Sequence, residues 1–296
     1  MKIIKILLLT LISVNLCYSA QPSQKQETDE ELNFKHQKLI NTATSGDKNE
    51  LQELLKNKSI DVNDKKQYDI TALIAASKYG HKETVEILLN HPNIDVNIQD
   101  NMGYTALMWA SMLGYKEIVE LLLDKGADVN IIDKDGYTAL IRASNYNRKE
   151  IVKLLSNHPD INVNIIAEDG YTALLLASYY GNKEIVELLL SHHPYINLNI
   201  KDKQFGHDAL TWASLNGHDE VVELLETYNK YLLIRLKELN KIRQANIDQT
   251  TAIPMPVIKI IGDYAGEDFD KKDLENKDLL SFSQFLEQQA KMKKKV

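Results

Sequence analysis

Along most of this chain apolar residues fall at helical spacing, in short paired runs separated by turn residues. The pattern is clearest in residues 103–130. Gly103 and Tyr104 lead into Thr105, whose hydroxyl suits a helix N-cap, and Ala106, Leu107 and Ala110 then share one face. Gly114 ends this short helix with the residue that most readily takes a left-handed backbone. Lys116 and Glu117 open a second helix carrying Ile118, Val119, Leu121, Leu122 and Leu123. Gly126, Ala127, Asp128, Val129 and Asn130 turn the chain out of it.

The unit recurs. Its opening signal starts at Thr71, Thr105, Thr138 and Thr172, with a looser copy at Asp208, so the offsets are 34, 33, 34 and 36 residues. A fixed period of this size predicts an all-α stack of helix-turn-helix units, each packed only on its neighbours. The pairs Ala76-Ser77, Ala110-Ser111, Ala143-Ser144, Ala177-Ser178 and Ala213-Ser214 mark a seam where first helices approach closely. Gly80, Gly114, Gly181 and Gly217 hold the turn between the helices, and Asn147, the next-best residue there, replaces it once. The uneven period sits in the loops after the second helix, which use His91-Pro92, Lys125-Gly126, His158-Pro159 or His193-Pro194.

The ends differ from the middle. Lys2 and Lys5 precede an apolar run at residues 6–14 and a small polar stretch, which predicts a signal peptide over 1–20 cleaved near Ser19 or Ala20. Residues 21–33 read as a polar linker. A lysine-rich first unit, 34–66, keeps Leu39, Ile40, Leu51, Leu54 and Leu55 at the apolar positions and reads as the N-terminal cap. Full units follow at about 67–100, 101–133, 134–167, 168–203 and 204–228. A helical stripe from Val221 and Leu225 through Leu232 to Ile242 then predicts a helical C-terminal cap and tail over 229–296.

Gly-x-Thr-Ala-Leu, Ala-Ser-x-x-Gly, Glu-Ile-Val-x-Leu-Leu-Leu and Asp-Val-Asn, repeated in register, resemble the ankyrin repeat over roughly residues 35–228. The resemblance implies a solenoid of about six units with β-turn fingers, and a partner protein held on the concave face. The family's usual Thr-Pro-Leu-His is here Thr-Ala-Leu followed by Ile74, Met108, Ile141 or Leu175, with Thr211 in the last copy. That removes the histidine's hydrogen bonds from the fingers. An array behind a signal peptide is similar to ankyrin proteins exported by bacteria, including effectors of host-associated ones, and implies a secreted or periplasmic protein. Residues 253–264 resemble the Pro-led first helix of F-box-like segments, implying an alternative role as a ubiquitin-ligase adaptor.

The formal charge of −7 argues against a phosphate-binding surface, so no nucleic-acid partner is expected. Membrane contact is expected only through the export signal. Cys17, the sole cysteine, lies within that signal, so thiol chemistry and disulfides are not expected. The recurring serines belong to the seam rather than to a nucleophile, and the histidines sit in separate units, too far apart to share a metal. The expectation is a monomer without catalytic residues, cofactor, metal or small-molecule substrate. The carboxylates Asp100, Asp133, Asp135, Glu168, Asp169 and Asp202 read as turn formers.

Positions that vary between copies carry the candidate site. Carried over from the family, the finger sites are Ile70, Tyr104, Tyr137, Tyr171 and His207. The first-helix sites include Tyr79, Met112, Leu113, Tyr146, Tyr179 and Tyr180, with Trp109, Arg142, Leu176 and Trp212 one turn earlier. Both tryptophans and seven of the fourteen tyrosines fall in this set. Those residue types dominate binding hot spots, and a compositional bias toward Tyr would not enrich Trp.

Overall fold

The computed structural model describes residues 28–245 and, beyond them, Gln284; side chains of the last helix are described through Ile234. The segments 1–20 and 253–264 lie outside the described residues. Twelve α-helices run through this region: α1 Asp29–Ser45, α2 Lys48–Leu55, α3 Ala72–Lys78, α4 Lys82–Leu89, α5 Ala106–Leu113, α6 Lys116–Asp124, α7 Ala139–Asn145, α8 Lys149–Ser156, α9 Ala173–Tyr179, α10 Lys183–His192, α11 Ala209–Leu215 and α12 Asp219–Ala245. Odd-numbered helices stack on one another in one layer and even-numbered helices in a second, while each pair packs internally.

The first helix begins earlier than the sequence pattern predicts. Thr28 caps it, accepting from the Glu31 amide, while the Glu31 carboxylate accepts from the Thr28 amide. Residues 29–33, expected in the polar linker, are therefore the first turn and more of α1. Their three consecutive acids are what a helix N-terminus favours, and reading them as linker composition hid the cap.

In the middle of the array the periodicity translates directly. Thr71, Thr105, Thr138 and Thr172 each accept from the backbone amide three residues on at 3.2 Å, and Asp208 does the same at 2.8 Å. One continuous core runs from Leu39 to Tyr231. Ser77, Ser111, Ser144 and Ser178 are fully buried in the seam, and their hydroxyls have no hydrogen-bond partner among the described residues. Small volume, not polarity, places them there.

The inter-helix turn carries a second constraint invisible in a single copy. At Gly181, φ is +69°, and the ring of His218 from the next unit sits where a Cβ would be, 2.5 Å away. His218 Nε2 in turn lies 3.0 Å from the Tyr179 carbonyl, as His81 Nε2 lies 2.8 Å from that of Thr44 and Arg148 Nε donates to that of Met112 at 2.9 Å. At these three turns the residue that follows reaches back to close the end of the preceding first helix. Asn147 does take φ of +54°.

Beyond the last pair, α12 runs on to Ala245 as the sequence stripe predicts. Val221, Leu224, Leu225, Tyr228 and Tyr231 are buried against α10 and α11, whereas Leu233 and Ile234 are exposed. The first three turns of α12 therefore cap the stack.

Candidate protein-binding face

Three of the fingers are β-turns closed by the same bonds. Gly103, Gly136 and Gly170 amides donate to the carbonyls three residues back at 2.9 Å, and Asp100, Asp133 and Ala167 amides donate across the finger to Tyr104, Tyr137 and Tyr171. Neighbouring fingers are joined edge to edge: Asn101, Lys134, Glu168 and Lys203 amides donate to the carbonyls of Tyr68, Met102, Asp135 and Asp169 at 2.8–3.1 Å. Gly103 needs both its φ of +83° and its missing side chain, because a Cβ would lie 2.8 Å from the Lys134 amide nitrogen. The finger before α3 lacks this glycine, and Tyr68 and Asp69 take positive φ instead.

The finger carboxylates do more than form turns. Asp100 Oδ1 accepts from the amides of Met102 and Tyr104, and its Oδ2 accepts from the Trp109 indole at 2.9 Å. Asp133 repeats this with the Asp135 and Tyr137 amides and with Arg142, whose Nε and Nη2 donate at 2.8 and 2.6 Å. Asp202 accepts from the amides of Gln204, Phe205 and His207 and from the Trp212 indole at 3.1 Å. Each tie runs from a finger to the helix that follows it. Unit boundaries drawn at 100 and 133 therefore cut fingers from their anchors.

The same rule explains the copies without an acid. Where the finger carries Ala167, the helix position carries Leu176, and both are buried. Where it carries Lys66, the helix carries Ala75. An N–H donor stands on the helix only where a carboxylate stands nine or ten residues before it. This spacing was visible in the sequence, and reading the acids only as turn formers missed it. Ile74, Met108, Ile141 and Leu175, which stand in place of the family's histidine, are buried in the core, and the Asp ties hold three fingers where its hydrogen bonds are absent.

These ties revise the candidate set. Trp212 is 9 % exposed and Leu176 6 %, so neither offers appreciable surface to a partner. The Arg142 side chain is 11 % exposed, with its charge committed to Asp133 and Asp135. Trp109 is partly buried with its N–H used internally. The tryptophans are accounted for by finger anchoring rather than by a partner.

Around them lie two groups of aromatic rings. Lys78 Nζ sits 4.1 Å from the Trp109 ring centroid, Trp109 stacks on Tyr104 at 4.8 Å, and the Arg142 guanidinium lies 4.9 Å from Tyr104 and 4.2 Å from Tyr137. The Tyr137 hydroxyl donates to Asp169, and burial together with that carboxylate pushes its pKa up. Tyr171 and Tyr180 meet Tyr179 edge to face at 6.5 and 4.9 Å, and Tyr179 meets Trp212 at 4.9 Å. Phe205 and His207 complete the cluster around Trp212. Tyr79, Tyr146 and Tyr180 are 53, 47 and 52 % exposed at the C-terminal ends of their first helices, while Tyr104, Tyr137, Tyr171, Tyr179, Met112 and Leu113 are partly buried.

A second ladder, on the other side of the fingers, went unrecognised in the sequence. Asn63, Asn130 and Asn164 each donate to a carbonyl of the following unit at 2.7–2.9 Å, to Asn93, Asp160 and Tyr195. Their Oδ1 atoms, with that of Asn97, accept from the amides of Asp95, Asn162, Asn197 and Asp128. The Asn of Asp-Val-Asn is thus an inter-unit strap. Of the loop histidines, His193 is pushed down to about 4 by burial and by His192 beside it, so desolvation outweighs the favourable position at a helix C-terminus.

The family model for ankyrin repeats matches residues 39–133, 95–167, 128–202 and 163–232, together spanning about two thirds of the sequence. The chain belongs to the ankyrin repeat family. Among solved structures it is similar to an ankyrin repeat domain from Acinetobacter baumannii AYE, with 30 % identity and a TM-score of 0.59 over 64 % of this chain and 96 % of that one. No curated protein matches the chain. Ankyrin repeats are a generic protein–protein interaction fold, and the described residues include no group of three or more potential metal ligands and no helix long and apolar enough to cross a membrane.

Proposed function

We propose that this ankyrin array is an exported, non-enzymatic scaffold that binds a partner protein across the strip where the fingers meet the first helices. The observation that carries the reading is the set of exposed rings Tyr79, Tyr146 and Tyr180, at the same first-helix position of three units, with Phe205 on the last finger, all 47 to 55 % exposed. Exposed aromatic surface of this extent usually marks an interaction site. Beneath it, the Asp ties and inter-finger bonds hold the backbone rigid, so little ordering entropy opposes association. A signal peptide over 1–20 fits secretion or a periplasmic location, where a monomer would meet its partner, and a host-directed effector is one form of that role. The test is a crosslinking pull-down with the protein from residue 20 onward, alongside the Tyr79→Ala/Tyr146→Ala/Tyr180→Ala variant. The variant should retain the wild-type circular dichroism spectrum and lose the captured partner. Equal capture by the variant would overturn the assignment of this face.

A further inference from the structure

At two steps of this face the chain lays its own cation over the aromatic rings, and at the last step it does not. At α3–α5, Lys78 covers Trp109. At α5–α7, Arg142 lies over Tyr104 and Tyr137 and pairs with Asp133. Tyr179 occupies on α9 the position that Lys78 occupies on α3, and it covers Trp212 as Lys78 covers Trp109. Here an aromatic ring stands where the ammonium stood.

The carboxylate at that step is equally unbalanced. Asp202 is 3 % exposed. Burial raises its pKa, but the amides of Phe205, His207 and Gln204 and the Trp212 indole outweigh it and hold the group below its usual range, so it is ionised. Among the described residues no cation pairs with it, whereas Asp133 has Arg142. Asp202 and Asp169 both make themselves felt at Tyr171, pushing its pKa up in addition to burial. Rings with negative faces thus gather beside uncompensated negative charge, and Tyr180 and Phe205 are 52 and 55 % exposed beside them.

We propose that the rings of Tyr171, Tyr179, Tyr180 and Phe205, which lie around the buried Trp212 and beside Asp202, receive an arginine or lysine side chain of the bound protein. The inference rests on the reading of this face as a protein-binding surface and names what the partner must bring to it. A cation over a ring is attracted by the ring's negative face, more strongly when desolvated, and the flanking carboxylates add to the attraction. Such a side chain would bring to α9–α11 the cation that the chain supplies for itself at α3–α5 and α5–α7.

Short peptides isolate the contribution. Acetyl-Gly-Ser-Arg-Ser-Gly-amide, its lysine counterpart and its citrulline counterpart, which keeps the planar head but not the charge, are titrated into the ¹⁵N-labelled protein at pH 7.5. The Trp212 indole N–H resonance is followed. The basic peptides should bind at least about tenfold more tightly than the citrulline peptide, the ratio corresponding to about 1.4 kcal/mol. Tyr180→Leu and Asp202→Asn should each erase that preference, and Tyr79→Leu, three units away, should leave it intact. Equal response to arginine and citrulline peptides, or a preference that survives in both variants, overturns the proposal. It also falls if replacing Lys291, Lys293, Lys294 and Lys295 by Gln in the full chain shifts the Trp212 resonance without peptide, since the pocket would then hold this chain's own terminus. Neither result touches the wider reading of the face, which stands or falls with the partner lost by the triple tyrosine variant.

Discussion

Replacing Asp133 by Ala tests whether the finger-to-helix ties hold the array together. Asp133 has no exposed side-chain surface, and Arg142 retains 11 %, so the ion pair is buried and solvent screening reduces it little. Removing one partner of a buried pair costs about 3–5 kcal/mol, chiefly through the charge left behind. Arg142 keeps its 3.2 Å contact with the largely exposed Asp135, which places the expected loss near the lower end, about 3 kcal/mol. Arg142→Leu alone should cost about 2 kcal/mol, because the stranded carboxylate still accepts the Asp135 and Tyr137 amides. The double variant carries Ala and Leu where the next unit naturally has Ala167 and Leu176, and should cost only about 1 kcal/mol. Urea unfolding followed by circular dichroism gives the double-mutant cycle. Hydrogen exchange at the Gly136 amide, bonded to the Asp133 carbonyl, reports the opening of this finger on its own. If the two single losses simply add, within about 0.5 kcal/mol, the tie is not an energetic unit and the account fails.

Other outcomes follow from the same structure. Ser144→Ala should leave the urea midpoint unchanged or raise it, because the buried hydroxyl has no partner among the described residues, whereas Ser144→Leu should lower stability by about 1–3 kcal/mol. Gly181→Ala should destabilise more than Gly217→Ala: both have φ near +70°, but only the first would drive a Cβ into the next unit, at His218. Thermal melts of the pair read that difference, and equal shifts would refute the steric argument. His193 is neutral in the native state down to about pH 4, while the unfolded chain takes a proton near 6.5, so the unfolded state holds more protons between those values. Stability should therefore fall as pH drops through that window and level off below it, by about 1–2 kcal/mol once screening of the partly exposed ring is allowed for. The fall should shrink in His193→Leu, measured by urea midpoints at pH 7.5 and 4.5.

The stack was legible because each unit repeats one physical problem. Thr at the cap, Ala-Ser at the seam and Gly at the turn are local solutions, and five copies in register leave little freedom to misread them. Contacts between units were less legible, since no single copy contains both partners. That His218 fills the space left by Gly181, or that Asn130 straps the loop at Asp160, becomes visible only when one unit is laid against the next. The start of α1 was missed for a different reason: Thr28, Asp29, Glu30 and Glu31 have the composition of a linker and the order of a capping box, and order decided.

The binding face shows how a sound general rule can point at the wrong atoms. Tryptophan and arginine dominate hot spots when their surface is free, yet Trp109, Arg142 and Trp212 each use their N–H groups on a buried finger carboxylate. Their spacing from Asp100, Asp133 and Asp202 marks them as anchors, and the Ala167–Leu176 pair is the apolar form of the same joint. Taking the anchors out leaves the tyrosines at the ends of the first helices, where no core contact requires a large ring. Tyr79 and Tyr146 are half exposed, although Tyr79 stacks on His81 at 6.4 Å. A side chain that the fold neither buries nor needs, repeated at one position of three units, is the feature that stability alone does not explain.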